Sequence, residues 1–375
     1  MSVRRVLIVV RPASGGQRQH LVTLLRGLDR SRYEPMVAGA IDPQLRQLLG
    51  SLDVEGIALP VAGGLDVRDV QACMGLRSLV RQRSPDLIHG HGAKSAMILA
   101  GAGLLGHGPP VVYTLHGFTR TAAASALFVR GEAAVARRVT RVIAVSSALG
   151  EWAVHHLGVS PERIAVIPNA IDWDRFGKEP VPDPQWVEAA PGGPRIGTVA
   201  RLSSEKGVDI LTRALAVLRT QAPDATLHVV GDGPDRHRLL ARARASGVLQ
   251  HVRLWGQLPP ERIPGFLAGL TVYVQPSRRE GLGLAALEAM AEGLPVVVTS
   301  VGGLPELVGE NERGLSVAPN ADAIAAGILR ALGSEGPVWA QAAGRFARSF
   351  TVERQIAATQ DVYDSAVAAK ATGGG

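Results

Sequence analysis

Short β-branched runs separated by longer amphipathic stretches recur along nearly all 375 residues, and this alternation leaves few folds open. In the first half the apolar runs fall at residues 6–10, 35–39, 54–59, 86–89, 111–115, 142–145 and 164–167. Helix-like stretches at 17–28, 66–83, 93–105, 121–138 and 147–156 separate most of them. Strand, helix and strand in regular succession is the pattern of a parallel sheet covered on both faces. Residues 180–194 then hold five prolines and two glycines and read as a linker. The pattern restarts with strands at 196–200, 226–230, 252–254, 271–275 and 295–298. Helices at 205–220, 235–246, 260–267 and 284–292 lie between or beside them, and a helical tail follows from Ala321. The expected fold class is α/β: two doubly wound domains facing a cleft, with ligands at the carboxyl ends of the strands.

Composition narrows the partners. An apolar share of 46% is ample for two cores. Cys73 is the single cysteine, which excludes an intrachain disulfide and a cysteine-rich metal site and favours a reducing, cytoplasmic location. The apolar run after Arg4 and Arg5 is too short for a signal core and ends in Arg11-Pro12, so it reads as a first strand. The longest apolar stretch, 96–105, is broken by Gly106-His107-Gly108-Pro109-Pro110 and cannot span a bilayer. A net charge of +7 favours anionic partners, such as nucleotides or lipid headgroups. Nucleic acid is disfavoured: aromatics are 4% of the chain and no binding motif is visible.

The most informative stretch is residues 277–294, S-R-R-E-G-L-G-L-A-A-L-E-A-M-A-E-G-L. Glu280 and Glu288 flank a turn in which Gly281 and Gly283 allow close approach of the backbone to a ligand. A helix starting there aims unpaired N–H groups and a positive dipole end at an anion. A carboxylate on each side of an anion site suits phosphates held between two hydroxyl-rich groups, as in a nucleotide sugar. The bland alternative is an ordinary strand–turn–helix with two solvated glutamates. A dinucleotide fingerprint is weakened by the five residues between strand and first glycine, and by the lack of an acidic residue ending the next strand. A glycosidase pair needs carboxylates roughly 5–9.5 Å apart, whereas eight mostly helical residues span about 10 Å.

Upstream, Arg201-Leu-Ser-Ser-Glu-Lys206-Gly207 follows a strand. Its serines can cap a helix that Glu205 opens. Arg201 and Lys206 read either as surface charges or as cations converging on a diphosphate, the arginine as a fork and the lysine as a point charge.

R-L-S-x-E-K-G, V-G-D-G-P (230–234), E-G-x-G-L-x-x-L-E-A-M-A and G-x-P-V-V occur in order at ordinary spacing. Together they resemble the donor domain of the retaining glycosyltransferases of family four, which have the two-Rossmann GT-B architecture. Gly15-Gly16 after the first strand, T-L-H-G (114–117), V-S-S (145–147) and V-I-P-N-A-I-D (166–172) extend the resemblance over nearly the whole chain, in the manner of bacterial exopolysaccharide and capsule enzymes. It implies an acceptor-side domain over 1–179, a linker over 180–194, a nucleotide-sugar domain over 195–350 and a helix over 351–375 that crosses back. It implies that Arg201 and Lys206 neutralise the donor diphosphate and that Glu288 holds the ribose hydroxyls. Glu280 would hold the sugar hydroxyls beside the Leu282, Gly283 and Leu284 backbone. Gly15 and Gly16 would admit the phosphates to the first loop, and His116 would sit near the reacting sugar.

The implied activity is retaining, metal-independent transfer from a nucleoside-diphosphate sugar to an acceptor hydroxyl on a glycan, a lipid-linked glycan or a small molecule. No cofactor is expected. Two departures stand out: Leu282 where the family often has Phe, and Arg18 where it often has Glu after the Gly-Gly pair. A sugar-nucleotide 2-epimerase and a non-catalytic nucleotide-sugar-binding subunit remain as alternatives.

His89-Gly-His91-Gly could suggest a metal pair, but no third ligand is evident and the glycines explain a tight loop. No D-x-D element stands where it would bridge a metal to a diphosphate. Arg130, Arg137, Arg138 and Arg141 surround a helix that also bears Leu127, Phe128 and Val135. A solvated basic face is the plain reading; peripheral attachment to anionic lipid at the inner membrane face is the sharper one.

Overall fold

The alternating runs form two parallel sheets in a computed structural model that describes residues 3–12, 15–61, 66–106, 108–118, 126–176, 181–182 and 192–372, with backbone only at 126–128 and 372. Two compact units divide the chain: residues 1–170 together with 352–375, and residues 171–351. The division falls after Ala170, so the short helix Trp173–Phe176 goes with the second unit. Most of the expected linker, residues 180 and 183–191, lies outside the described residues, as does the start of the expected helix over 121–138.

The first unit holds seven strands: β1 Arg4–Val10, β2 Tyr33–Gly39, β3 Glu55–Ala58, β4 Leu87–His91, β5 Val111–Leu115, β6 Arg141–Ala144 and β7 Ile164–Val166. Their order is β3-β2-β1-β4-β5-β6-β7, all parallel. β1, β4 and β5 are buried along nearly their whole length, which explains their continuous apolar runs. Helix Gly16–Gly27 buries Leu21, Leu24 and Leu25 at helical spacing. The final helix, Val352–Thr372, packs Ile356, Val362, Tyr363 and Ala366 into the same core. Burial of one such aliphatic side chain is worth about 1.5–3 kcal/mol. The two helices meet at Gly27, where a Cβ would lie 2.5 Å from Ile356 Cγ1.

The second unit holds β8 Arg195–Val199, β9 Thr226–Val230, β10 Val252–Gly256, β11 Val272–Gln275, β12 Val296–Thr299 and β13 Leu315–Val317. Their order is β10-β9-β8-β11-β12-β13, again all parallel. In each sheet the chain winds one way from the first strand and then returns to its other side. Each therefore has a switch point, β1/β4 in one and β8/β11 in the other, where strand ends leave a crevice for ligands.

Several expected elements differ. The helix expected from Glu205 begins at Val208, after a 3-10 turn over Ser204–Lys206. Ser203 makes no side-chain cap there; Gly207 breaks the chain direction at φ 66° instead. A Cβ on Gly207 would lie 1.9 Å from the Pro276 carbonyl oxygen, so glycine is required by both conformation and space. The expected helix over 147–156 is α-helical only to Trp152 and continues as a π turn to Leu157. Helix Pro43–Ser51 escaped the sequence reading although Asp42 caps it, accepting from the Leu45 N–H at 2.8 Å, with proline in its first turn. Strand β13 was also missed, being three residues long and entered from Gly314.

Candidate functional site

In the second unit two loops at the β8/β11 switch carry Arg201, Glu205, Lys206, Arg278, Arg279 and Glu280. These loops are laced together by backbone and side chain. The Arg278 and Arg279 N–H groups donate to the Glu205 carbonyl at 2.8 and 3.3 Å, and Arg279 pairs with Glu205 at 2.9 Å. The Gly207–Pro276 approach adds a steric stop.

On this frame Lys206 Nζ donates to Glu280 Oε2 at 2.7 Å. The same oxygen accepts from Ser277 Oγ at 3.0 Å and from Gln275 Nε2 at 3.3 Å. Behind them the buried Tyr273 hydroxyl donates to Gln275 Oε1 at 2.7 Å, and Gln275 Nε2 also donates to Ser277 Oγ at 3.0 Å. Thr299 Oγ1, from the end of β12, donates to the Ser277 carbonyl at 2.6 Å. One carboxylate oxygen is therefore held by a cation and two neutral donors, while nothing in this set engages Oε1. Gln275, Ser277, Tyr273 and Thr299 were not singled out in the sequence. The only signal available was that polar residues stand at the ends of apolar strands.

Arg201 lies on the same loop as Lys206, exposed and with no ion-pair partner among the described residues. Gly281, Leu282 and Gly283 lead into helix Leu284–Ala291. Gly283 has φ 95°, and a Cβ there would meet Leu304 Cδ2 at 2.4 Å, so this glycine also has no substitute. Leu282 is buried, a packing position. Glu288 lies one turn into the helix from Leu284. Its side chain is 13% exposed and 3.9 Å from Arg175 Nη1. Burial pushes its carboxyl up to about 7 against the pull of Arg175, and the Asp172 charge adds to the rise. Arg175, which also donates to the Pro260 carbonyl at 2.6 Å, is a further residue the sequence reading passed over, as are Trp173 and Asp174 after the 166–172 motif. A cavity of about 170 Å³ in this unit, lined by Ser203, Asp209, Arg238, Arg242 and Arg278 among others, includes none of Lys206, Glu280 and Glu288. Asp209 is neutralised there by Arg242 and by Arg278 at 2.7 Å.

The first unit has a different switch. Gly15 turns the chain at φ 56° and Gly16 begins helix Gly16–Gly27. That helix brings His20 beside His91, the last residue of β4, and His116, which follows β5. His91 Nδ1 and His116 Nε2 are 3.0 Å apart; the ring centroids of His20 and His116 are 4.8 Å apart. His20 Nδ1 faces Asn169 Oδ1 at 2.8 Å. His89 and His91 do not act as the pair the motif suggested. Both nitrogens of His89 are engaged, by the Tyr363 hydroxyl and by Thr114 Oγ1, each at 2.7 Å. Burial holds His20 down to about 4 and His89 to about 3, and carries His91 and His116 well below the usual histidine range, so all four are neutral at pH 7.

Arg18, the family departure, forms an ion pair with Asp42 and donates to Gln44 Oε1 at 2.9 Å. In the basic cluster, Arg137 donates to the Leu157 carbonyl and Arg141 to Ser365 Oγ, while Arg130 and Arg138 are exposed. Val135 is buried; the side chains of Leu127 and Phe128 lie outside the described residues. No helix among the described residues is long and apolar enough to cross a membrane.

Residues 14–175 match the family described as Glycosyltransferase Family 4, and residues 184–347 match Glycosyl transferases group 1. The chain is 34% identical over 210 residues to a 2-deoxystreptamine glucosyltransferase of Streptomyces kanamyceticus, covering 55% of this chain and 54% of that protein. It is 31% identical over 318 residues to a glycogen synthase of Mycobacterium tuberculosis, covering 78% and 72%. A D-inositol 3-phosphate glycosyltransferase of Streptomyces coelicolor is 28% identical over 69% of this chain and 65% of its own length. The chain thus spans about half to two thirds of two of these relatives. Among solved structures, Anabaena HepE in complex with UDP superposes with a TM-score of 0.80 at 22% identity, over 97% of this chain and 100% of that one. Sucrose-phosphate synthase of Thermosynechococcus elongatus superposes with a TM-score of 0.81 at 20% identity, over 98% and 100%. Two Rossmann-like sheets with matching switch points, the ordered motifs on their loops and these similarities lead to one assignment: the chain belongs to family four of the glycosyltransferases, with the GT-B fold.

Proposed function

We propose that this chain transfers a sugar from a nucleoside-diphosphate donor to an acceptor hydroxyl with retention of anomeric configuration. The observation that carries the reading is the Lys206–Glu280 pair at 2.7 Å, with Glu288 one helical turn beyond the adjoining glycines. As the glycosidic C–O bond breaks, negative charge grows on the departing diphosphate. Lys206, Arg201 and the N–H groups opening helix Leu284–Ala291 offset it without a metal. Glu280, held through Oε2, keeps an oxygen for the hydroxyls of the donor sugar. Glu288 accepts from the ribose hydroxyls. The acceptor hydroxyl attacks from the side the diphosphate leaves, and a donor phosphate oxygen takes its proton. His116, neutral, serves as a hydrogen-bonding partner of the sugar rather than as a cation.

For the acceptor we propose a lipid-linked glycan or glycolipid, with the exposed Arg130 and Arg138 offering contact to an anionic cytoplasmic membrane face. A second reading is favoured by the relatives' names. 2-Deoxystreptamine, D-inositol 3-phosphate and phosphatidylinositol monomannoside share a polyhydroxylated carbocycle, so a cyclitol acceptor belongs in the same panel.

The test is incubation with UDP-, GDP- and ADP-sugars, scored for nucleotide release with and without lipid-linked and cyclitol acceptors, in the presence of EDTA. Acceptor-dependent release and a product of retained configuration by NMR support the proposal. Donor turnover without acceptor would indicate an epimerase, and binding without any release a non-catalytic subunit.

A further inference from the structure

We propose that the cavity between the loop after β8 and helix Arg236–Ala245 binds one small oxyanion bearing a phosphate group, outside the donor crevice. The helix places Arg238 and Arg242, four residues apart, on one side, and both line the cavity. Arg278, from the loop after β11, is the third cation of the lining. Two of the three are committed. Asp209 accepts from Arg278 Nη1 at 2.7 Å and from Nη2 at 2.9 Å, and it pairs with Arg242. The Asp235 charge acts on Arg278 as well. Arg238 has no ion-pair partner among the described residues and is exposed, so an anion reaches it from solvent.

Two further observations point to an anion rather than to a chance gap. Ser203, in the lining, has its hydroxyl oxygen buried and without a hydrogen-bond partner. A buried hydroxyl costs free energy until something bonds to it, and an oxyanion accepts its proton. The lining also holds three arginines against two aspartates, so one positive charge stands uncompensated. Leu202, Val208 and Leu239 supply apolar wall, which excludes water and strengthens the pull of a guanidinium on an anion. Size sets the ligand class. The cavity measures about 170 Å³, whereas benzene fills one of about 150 Å³ and a ligand as large as a nucleotide sugar needs roughly 300–1,000 Å³. A phosphate group with little attached to it fits, and the planar fork of arginine grips such an oxyanion through paired N–H groups. The site bears on the loop of Lys206. The Lys206 N–H donates to the Ser203 carbonyl at 3.0 Å, and Arg278 Nη1 donates to the Ser204 carbonyl at 2.7 Å. An anion held by Ser203 and Arg238 therefore braces the turn that presents Lys206. The site stands apart from the donor reading, since none of Arg201, Lys206, Glu280 and Glu288 lines it.

The test is calorimetric titration of the full chain with inorganic phosphate in a phosphate-free buffer. Arg238→Gln should weaken binding about ten- to a hundredfold, as when a charge-assisted hydrogen bond is lost, and Ser203→Ala about two- to tenfold. Lys206→Ala should still bind one equivalent with unchanged affinity, which separates this site from any phosphate in the donor crevice. Amide hydrogen exchange across residues 203–207 should slow when phosphate is added to the unmodified chain and should not respond in Arg238→Gln. Circular dichroism establishes that each variant is folded; Arg238 is exposed, so its replacement spares the core. Absence of phosphate binding by the unmodified chain overturns the site. So does binding that folded Arg238→Gln and Ser203→Ala both leave unchanged, or that Lys206→Ala abolishes, which would assign the anion to the donor crevice.

Discussion

The two units share a winding order and a switch point but line that crevice with opposite chemistry. At β1/β4 the first unit gathers neutral imidazoles that bond to one another and to amides. At β8/β11 the second pairs Lys206 with Glu280 on loops tied by backbone hydrogen bonds, and Arg175 with Glu288 between two short helices. The same topology thus specifies where a site lies and leaves its chemistry to the residues at the strand ends. A charged crevice suits a ligand carrying phosphates; a neutral one suits hydroxyl groups.

Removing a charge from the second unit should produce the largest break. Lys206→Ala is expected to lower acceptor-dependent nucleotide release by about a hundred- to a thousandfold, as when a donor to a developing oxyanion is lost, and Glu288→Ala, which removes the acceptor of the ribose hydroxyls, by about a hundredfold through misplacement of the donor. Circular dichroism should stay that of the wild type. Near-normal turnover in either variant would remove the distinction between the two crevices.

Gln275→Ala sharpens the comparison by leaving every charge in place. It deletes one donor to Glu280 and the link to Tyr273. Misplacing the carboxylate should lower kcat about a hundredfold with a smaller change in KM. Steady-state kinetics would show an equal effect on both constants if Gln275 acted only in donor binding.

Glu288 makes the second crevice pH-sensitive near neutrality. Its carboxyl titrates at about 7 in the free chain, and ribose hydroxyls donate to the ionised form. Nucleotide affinity should therefore rise about tenfold between pH 6 and 8, and calorimetry on Glu288→Gln should show no such rise. The stability term has the opposite sign. The folded carboxyl holds its proton up to about 7, whereas the unfolded one loses it near its ordinary value of 4.5. Stability is fully present below that ordinary value and is lost as pH rises towards 7, by about 3 kcal/mol. Thermal melts at pH 5 and 7 should differ less in the Gln variant.

The smallest effect belongs to the first unit. Arg18→Ala breaks a partly exposed pair with Asp42 and should cost less than about 1 kcal/mol. Transfer should change no more than about twofold. A larger loss would mean that Arg18 meets the donor or the acceptor despite its ion pair.

Much of the second site was legible because its parts are local. Glu280, the two glycines and Glu288 lie within nine residues, and strand–turn–helix chemistry dictates their arrangement. The Ser203–Gly207 segment misled because its serines look like caps, whereas the close approach of Gly207 to Pro276, invisible in one segment alone, sets where the helix begins. The metal pair suggested by His89 and His91 was set aside because no third ligand was evident and the glycines explain a tight loop; the two rings, two residues apart on one strand, use different neighbours. His20 is a helix residue with no sequence relation to either.

Alternation, apolar runs and turn residues sufficed by themselves for the parallel α/β class, the double repeat and the residues around Glu280. These are properties of periods and neighbours. The winding order decided everything that depends on strands far apart in the chain lying side by side. It set Lys206 on Glu280 across 74 residues, Arg175 on Glu288, and His20 beside His91 and His116. Such contacts follow from the packing of whole sheets, because a parallel sheet puts the carboxyl ends of sequence-distant strands on one edge.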